Sequence, residues 1–143
     1  MKMITKINNY RSFVDYAFKT CDSFSLVFHN SVYPLQMADF EILEHNISNQ
    51  IRNKKSIFIH PDTNSHFEDS CLIYFRCNKF TKKIIKRTDD IFDWNGINLP
   101  EELCFYRNEK IWFLSIYHEK LLFIDKCTDE DMAFFTTHNI LSF

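Results

Sequence analysis

The sequence predicts an α+β fold: a central, mainly antiparallel sheet with about four helices packed on at least one face. Three observations predict it. Apolar residues switch along the chain between a helical period near 3.6 and a strand period of two. Two aromatic-rich runs are separated by four polar residues, Arg107–Asn108–Glu109–Lys110, which reads as a hairpin and favours antiparallel pairing. The chain has 143 residues, 45% hydrophobic and 25% charged, enough for a single globular domain over 1–143 without staples.

Taken in order, Tyr10, Phe13, Val14, Ala17, Phe18 and Cys21 recur at helical spacing, with Asn8 or Asn9 as the cap. "SFSLVFH" alternates Phe24, Leu26 and Phe28 against Ser25, Val27 and His29, a strand with one apolar face. After the break at Pro34, Met37, Phe40, Leu43, Ile47 and Ile51 form a second helical stripe. Asp39, Glu41, Glu44 and Gln50 fall on its other faces. "IFIH" reads as a short strand stopped by Pro61, between polar loops at 52–56 and 62–69. "CLIYFRC", residues 71–77, has the aromatic and branched content of an inner strand.

A third helix carries Phe80, Ile84, Ile85, Thr88 and Ile91 or Phe92, and Asn95–Gly96 supplies the turn of the following loop. Leu103–Tyr106 and Ile111–His118 are the hairpin strands, and Leu121–Ile124 extends them into a meander. Thr128 followed by Asp129, Glu130 and Asp131 is a helix start, a capping hydroxyl with acids on the helix dipole, for a last helix reaching about Thr137.

Composition excludes several functions. The one glycine, Gly96, rules out glycine-rich phosphate loops and the G-x-S-x-G elbow, so no nucleotide cofactor is expected. Turns must then be built from Asn, Asp and Ser. A net charge of −2 argues against a nucleic-acid partner. The opening stretch MKMITKINNY lacks the apolar core of a signal peptide, and no run is long enough to cross a membrane. The five cysteines are scattered among apolar runs and read as reduced, mostly buried thiols, so the expected compartment is the cytoplasm.

Candidate chemistry is sparse. His118–Glu119 is the most enzyme-like pair, but strand neighbours point to opposite faces, and Glu119–Lys120 reads as a tight turn. A structural corner is the simpler reading. His60, His66, Cys71 and Cys77 lie at spacings too wide for a structural zinc knuckle. Cys21 and Cys104 read as small hydrophobes. No catalytic, metal-binding or cofactor-binding residue is therefore assigned.

Charge is patterned instead. Lys79, Lys82, Lys83, Lys86 and Arg87 make the third helix basic. Asp89, Asp90, Asp93, Glu101, Glu102, Asp129, Glu130 and Asp131 form acidic clusters, with Trp94, Trp112 and Tyr106 close in sequence. The simpler reading is a solvated surface with the aromatics in the core, and the sharper one is a docking surface for a basic protein partner.

Three stretches carry a resemblance: "CDSFSLVFH" at 21–29, "DIFDW" at 90–94 and "LPEELCFYRNEKIWFLSIYHE" at 99–119. Together they resemble a family of small, mostly uncharacterised bacterial proteins with a "DSFSLV" strand after an N-terminal helix and a "PEDLCFY…WF.S..HE" hairpin. Here Glu102 stands where the family usually has Asp, Asn108–Glu109 replace a turn glycine, and "FIHPDT" replaces a Trp-Pro-Gly-Thr-like turn. In that family the His-Glu pair recurs at a strand end. The chain also looks like the immunity partners of polymorphic or contact-dependent growth-inhibition toxins. The resemblance implies a non-enzymatic cytoplasmic protein. It would bind a cognate toxin domain, a nuclease by expectation, and occlude its active or substrate-binding surface; the charge pattern offers the eight acids named above as the pool of contacts, of which only some can share a face. The competing expectations are a small hydrolase using His118 with Glu119 or a His/Cys metal site, and a homodimeric interaction module.

Overall fold

The computed structural model describes residues 1–29, 35, 37–48 and 71–143. The expected strand at 57–60, the loops around it, and Gln50, Ile51, His60 and His66 lie outside the described residues. Within them the fold is α+β. The elements run β1 (Lys2–Ile4), β2 (Lys6–Ile7), α1 (Tyr10–Thr20), β3 (Ser23–Phe28), α2 (Met37–His45), β4 (Cys71–Arg76), α3 (Lys79–Ile85), a 3-10 turn (Ile91–Asp93), β5 (Glu101–Arg107), β6 (Lys110–Ile116), β7 (Leu121–Ile124), α4 (Asp129–Thr137) and β8 (Leu141–Ser142).

Six strands form an antiparallel sheet in the order β1-β7-β6-β5-β3-β4, and β2 pairs with β8 apart from it. The β5–β6 hairpin closes through Asn108 and Glu109, both with φ positive at 51° and 63°. Two left-handed residues in succession give the turn whose twist matches its strands. All four helices send apolar side chains into one core with one face of the sheet. Tyr10, Phe13, Val14 and Ala17 come from α1, Leu43 from α2, Ile84 and Ile85 from α3 and Phe135 from α4. Phe13 is fully buried, with the rings of Phe105, Trp112, Phe113 and Phe135 centred 4.7–6.4 Å away. Trp94, Trp112 and Tyr106 are core residues too, which removes them as surface anchors. The opposite sheet face carries a smaller cluster of Tyr74, Cys104, Tyr106 and Leu114.

Several expectations are corrected. Residues 2–4 and 6–7 are strands, each made by pairing with the far end of the chain. Among the described strands β4 ends the sheet order, and its outer edge takes Ser48 N–H to the Tyr74 carbonyl and Arg76 N–H to the Asn46 carbonyl. On α2, Met37 and Phe40 are exposed, whereas Asp39 is buried because the Arg87 guanidinium grips it at 2.8 and 3.0 Å. Left-handed backbone is not confined to small turn residues: Glu102, Lys120 and Lys126 adopt it as well as Asn108, Glu109 and Asn139.

Asp131 ties the helices to the sheet. Its carboxylate accepts from the Tyr16 hydroxyl of α1 at 2.6 Å, from the Arg107 fork of β5 at 2.9 and 3.2 Å, and from Trp112 Nε1 of β6 at 3.3 Å. It also closes the capping box with Thr128, whose backbone N–H it accepts at 2.9 Å. Burial by itself would raise its proton affinity. The Arg107 fork, the Tyr16 hydroxyl and the Thr128 N–H outweigh that and hold it well below the usual carboxylate range. Its stabilisation is therefore present above the unfolded carboxyl range and lost as pH falls below it. Asp131→Asn leaves Arg107 without its counter-charge, so denaturant unfolding at pH 7 should show a loss of about 3 kcal/mol or more. A loss under about 1 kcal/mol would mean the network is dispensable.

Candidate functional site

The site begins with a register step. β3 and β5 pair Ser25 with Cys104 but Val27 with Glu101. Two residues of advance on β3 thus meet three on β5, a β-bulge. Because Ser25 and Val27 share a face, the step turns Glu101 onto the face of Cys104, which simple alternation would deny it. Glu102 absorbs the change with φ of 60°, in the left-handed region, which costs a non-glycine residue about 1–2 kcal/mol.

Three chain segments meet there. His29 lies just past the end of β3, Glu101 opens β5, and His118 sits in the Tyr117–Lys120 turn between β6 and β7, closed by Lys120 N–H to the Tyr117 carbonyl. Glu101 lies 2.7 Å through Oε1 from His29 Nε2 and 3.1 Å through Oε2 from His118 Nε2. The carboxylate is 8% exposed, His29 is 29% exposed and His118 is 71% exposed. One buried carboxylate thus holds two imidazoles, one recessed and one outward.

Gly96 lines the centre. It has φ of +77°, and a Cβ there would meet Glu101 Oε2 at 2.8 Å and His29 Cδ2 at 3.2 Å. The chain's one glycine sits where backbone must be left-handed and must also touch this carboxylate.

Glu102 is 4% exposed, and its Oε2 is buried with no hydrogen-bond partner among the described residues. Burial, then repulsion from Glu101 and Glu119, pushes its carboxyl up to about 8. It is mostly protonated at neutral pH. The thiols are equally far from reactive. Burial lifts Cys21 to about 12 and raises Cys77, Cys104 and Cys127, so none is a thiolate nucleophile at neutral pH.

The acids expected as a pool of partner contacts, only some of which could share a face, separate into three places. Asp89 pairs with Arg11, Asp90 caps the 3-10 turn, and Asp93 accepts from the backbone N–H groups of Asp89 and Asp90. Glu101 and Glu102 are buried at one end of β5. Asp131 is buried against Arg107, about 20 Å away at the other end at roughly 3.3 Å per residue. Glu101, Glu102 and Asp131 therefore do not contribute to an exposed acidic surface, because each is enclosed by the fold. Asp129 and Glu130 stay exposed on the first turn of α4. His118 is bound to Glu101, an acid seventeen residues before it, instead of acting as a pair with Glu119.

A second feature lies at the Asp131 end. A cavity of 330 Å3 opens between the hairpin turn and the β7–α4 loop, lined by Arg107, Lys110, Trp112, Asp125, Lys126 and Thr128 among others. Among the described residues no three His, Cys, Asp or Glu groups are placed to hold a metal ion, and no helix is long and apolar enough to cross a membrane. Compared with protein-family models, curated proteins and solved structures, the chain shows no match.

Glu102 gives stability a definite pH dependence. The unfolded carboxyl titrates near its ordinary 4.5 and the folded one near 8. Between those values the folded state binds more protons, so this group subtracts stability as pH rises through that window. The Glu102→Gln variant should match the wild type near pH 4.5 and exceed it by a few kcal/mol above pH 8 in thermal or urea unfolding. Equal curves at both pH values would exclude the raised carboxyl. Gly96→Ala should lower stability by about 1–2 kcal/mol or more, since it meets both the backbone and the contact penalty. An unchanged melting temperature would mean that Glu101 does not lie against this turn.

Proposed function

We propose that this chain is a cytoplasmic bacterial immunity-type protein that binds a cognate toxin domain, a nuclease by preference, and neutralises it by covering its active or substrate-binding surface. The mechanism asks for no bond-making chemistry from the chain, only a rigid complementary face. The observation that carries this reading is the exposed first turn of α4, where Asp129 and Glu130 follow Thr128, a residue of the 330 Å3 cavity wall. Asp131 anchors that turn to α1, β5 and β6, so the acids are presented on a fixed support. A fixed anionic face loses little entropy on docking a basic partner and steers its approach.

The cavity wall contributes the cations Arg107, Lys110 and Lys126 and the acid Asp125. A complementary partner surface therefore carries basic groups for Asp129 and Glu130 and an acidic or carbonyl-rich group for the lysines. Mixed charge of this kind sets orientation and specificity more than affinity.

The test pairs this protein with the C-terminal domain of the large protein encoded immediately upstream. Co-expression should rescue growth, and the two should co-purify. Asp129→Lys combined with Glu130→Lys should slow association by about tenfold or more at low ionic strength, with the difference shrinking as salt rises. An unchanged, salt-independent association rate would remove this face from the interface, and no rescue together with no complex would remove the reading.

A further inference from the structure

We propose that the cavity between the hairpin turn and the β7–α4 loop is the seat for one acidic side chain of an otherwise basic partner segment, whose flanking cations meet Asp129 and Glu130. The inference deepens the docking reading given above and rests on it. Three cations line the cavity: Arg107 ends β5, Lys110 opens β6 and Lys126 lies in the loop before α4. They are not equivalent. Arg107 is already engaged, with its fork on Asp131 at 2.9 and 3.2 Å and its guanidinium 4.7 Å from the centre of the Trp112 ring. Lys110 and Lys126 are exposed, and neither ammonium has a hydrogen bond, an ion pair or a ring contact among the described residues. The one acid of the wall, Asp125, lies 3.5 Å from the Met1 ammonium. The wall thus keeps two unengaged ammonium groups, and its own carboxylate already has a cation.

The walls are fixed before anything enters. Asp125 N–H donates to the Trp112 carbonyl at 2.8 Å, which ties the β7–α4 loop to β6. Asn108 N–H donates to Asp22 Oδ2 at 2.8 Å, which ties the hairpin turn to the segment before β3. A preformed site loses little entropy when it is filled. At 330 Å3 the cavity stands at the lower end of the range for organic ligands, about 300–1,000 Å3. Ile111 and Trp112 add apolar wall to the charged groups. An acidic side chain supplies both complements, a carboxylate for the two ammonium groups and a methylene stem for the apolar wall.

The neighbouring acids decide what carries that carboxylate. Glu109 precedes Lys110 in the hairpin turn, and Asp129 and Glu130 follow Thr128. All three are exposed, without an ion pair among the described residues, and none belongs to the cavity wall. A wholly acidic segment would be repelled by them on approach, and a wholly basic one would set cations against Lys110 and Lys126. A segment with basic residues on both sides of one acid satisfies the flanking acids and the lysines together. That alternation fixes the register of the partner, which a uniform charge patch does not.

The experiment is calorimetric titration of the full chain at pH 7 and low salt. The probes are two capped tripeptides, arginine-glutamate-arginine and arginine-glutamine-arginine, and capped glutamate alone. The glutamate tripeptide should saturate and bind about fivefold or more tighter than either of the others, with the preference shrinking as salt rises. Lys110→Gln combined with Lys126→Gln, both at exposed positions, should erase the preference for glutamate over glutamine. Asp129→Asn combined with Glu130→Gln should weaken both tripeptides alike and leave that preference in place. The proposal fails if the glutamate tripeptide does not saturate up to about 10 mM, or if the two tripeptides bind equally. It also fails if the preference survives loss of both lysines. Capped glutamate binding as tightly as the tripeptide would overturn the partner segment and assign the seat to a free small carboxylate. Growth rescue and co-purification score the toxin reading separately. A toxin complex with no discrimination between tripeptides removes the seat alone, and discrimination with no toxin complex removes the toxin alone.

Discussion

One extra residue in β5 sets the geometry at one end of this sheet. Without the step between the Ser25–Cys104 and Val27–Glu101 pairs, Glu101 would project to the face of Leu103 and into the main core. With it, the carboxylate meets His29 from β3 and His118 from the β6–β7 turn, and three strand ends are joined. The accompanying costs are local and identifiable: left-handed backbone at Glu102, a buried carboxyl with an unpaired oxygen, and a turn too tight for any Cβ at residue 96. Local strain of this sort persists only where the surrounding structure enforces it, and it clusters at sites that bind or react.

The other end of β5 is built on the opposite principle. Asp131 is buried and charged but fully engaged, with a hydroxyl, a guanidinium fork, an indole N–H and a backbone N–H all donating to it. A buried carboxylate held by this many donors from separate elements is rigid. That rigidity supports the exposed acids of α4 and the cavity wall at Thr128. Each end keeps one buried polar atom without a hydrogen-bond partner among the described residues, Arg107 Nε at one and Glu102 Oε2 at the other, and they differ in that the Asp131 carboxylate is charged and fully engaged whereas the Glu102 carboxyl is not.

Much of this fold was legible in the sequence, and the exceptions have physical causes. α1, β3, the β5–β6–β7 meander and α4 carry strong local patterns and capping residues, so they stand where the periodicity places them. β1, β2 and β8 are two or three residues long, too short for any pattern, and exist because their partners lie more than a hundred residues away. The buried side of α2 was misread because Asp39 looks like a surface acid until Arg87 is brought to it. The exposed acids at the start of α4 were readable as N-terminal helix charges. The burial of Glu101 and Glu102 was not, because a bulge is a property of two strands in register and leaves no mark on either alone. One signal pointed toward it: the 21–29 stretch ends at His29, the 99–119 stretch opens near Glu101 and closes around His118, and Gly96 follows the 90–94 stretch. The termini of the recognisable segments converge at one point.

The most direct measurement is a carboxyl carbon NMR titration of the protein labelled at the glutamate side chains. The account predicts one glutamate resonance, removed by Glu102→Gln, that titrates near 8. If no glutamate resonance titrates near 8, the bulge does not enclose an acid beside Glu101, and the centre described here does not exist.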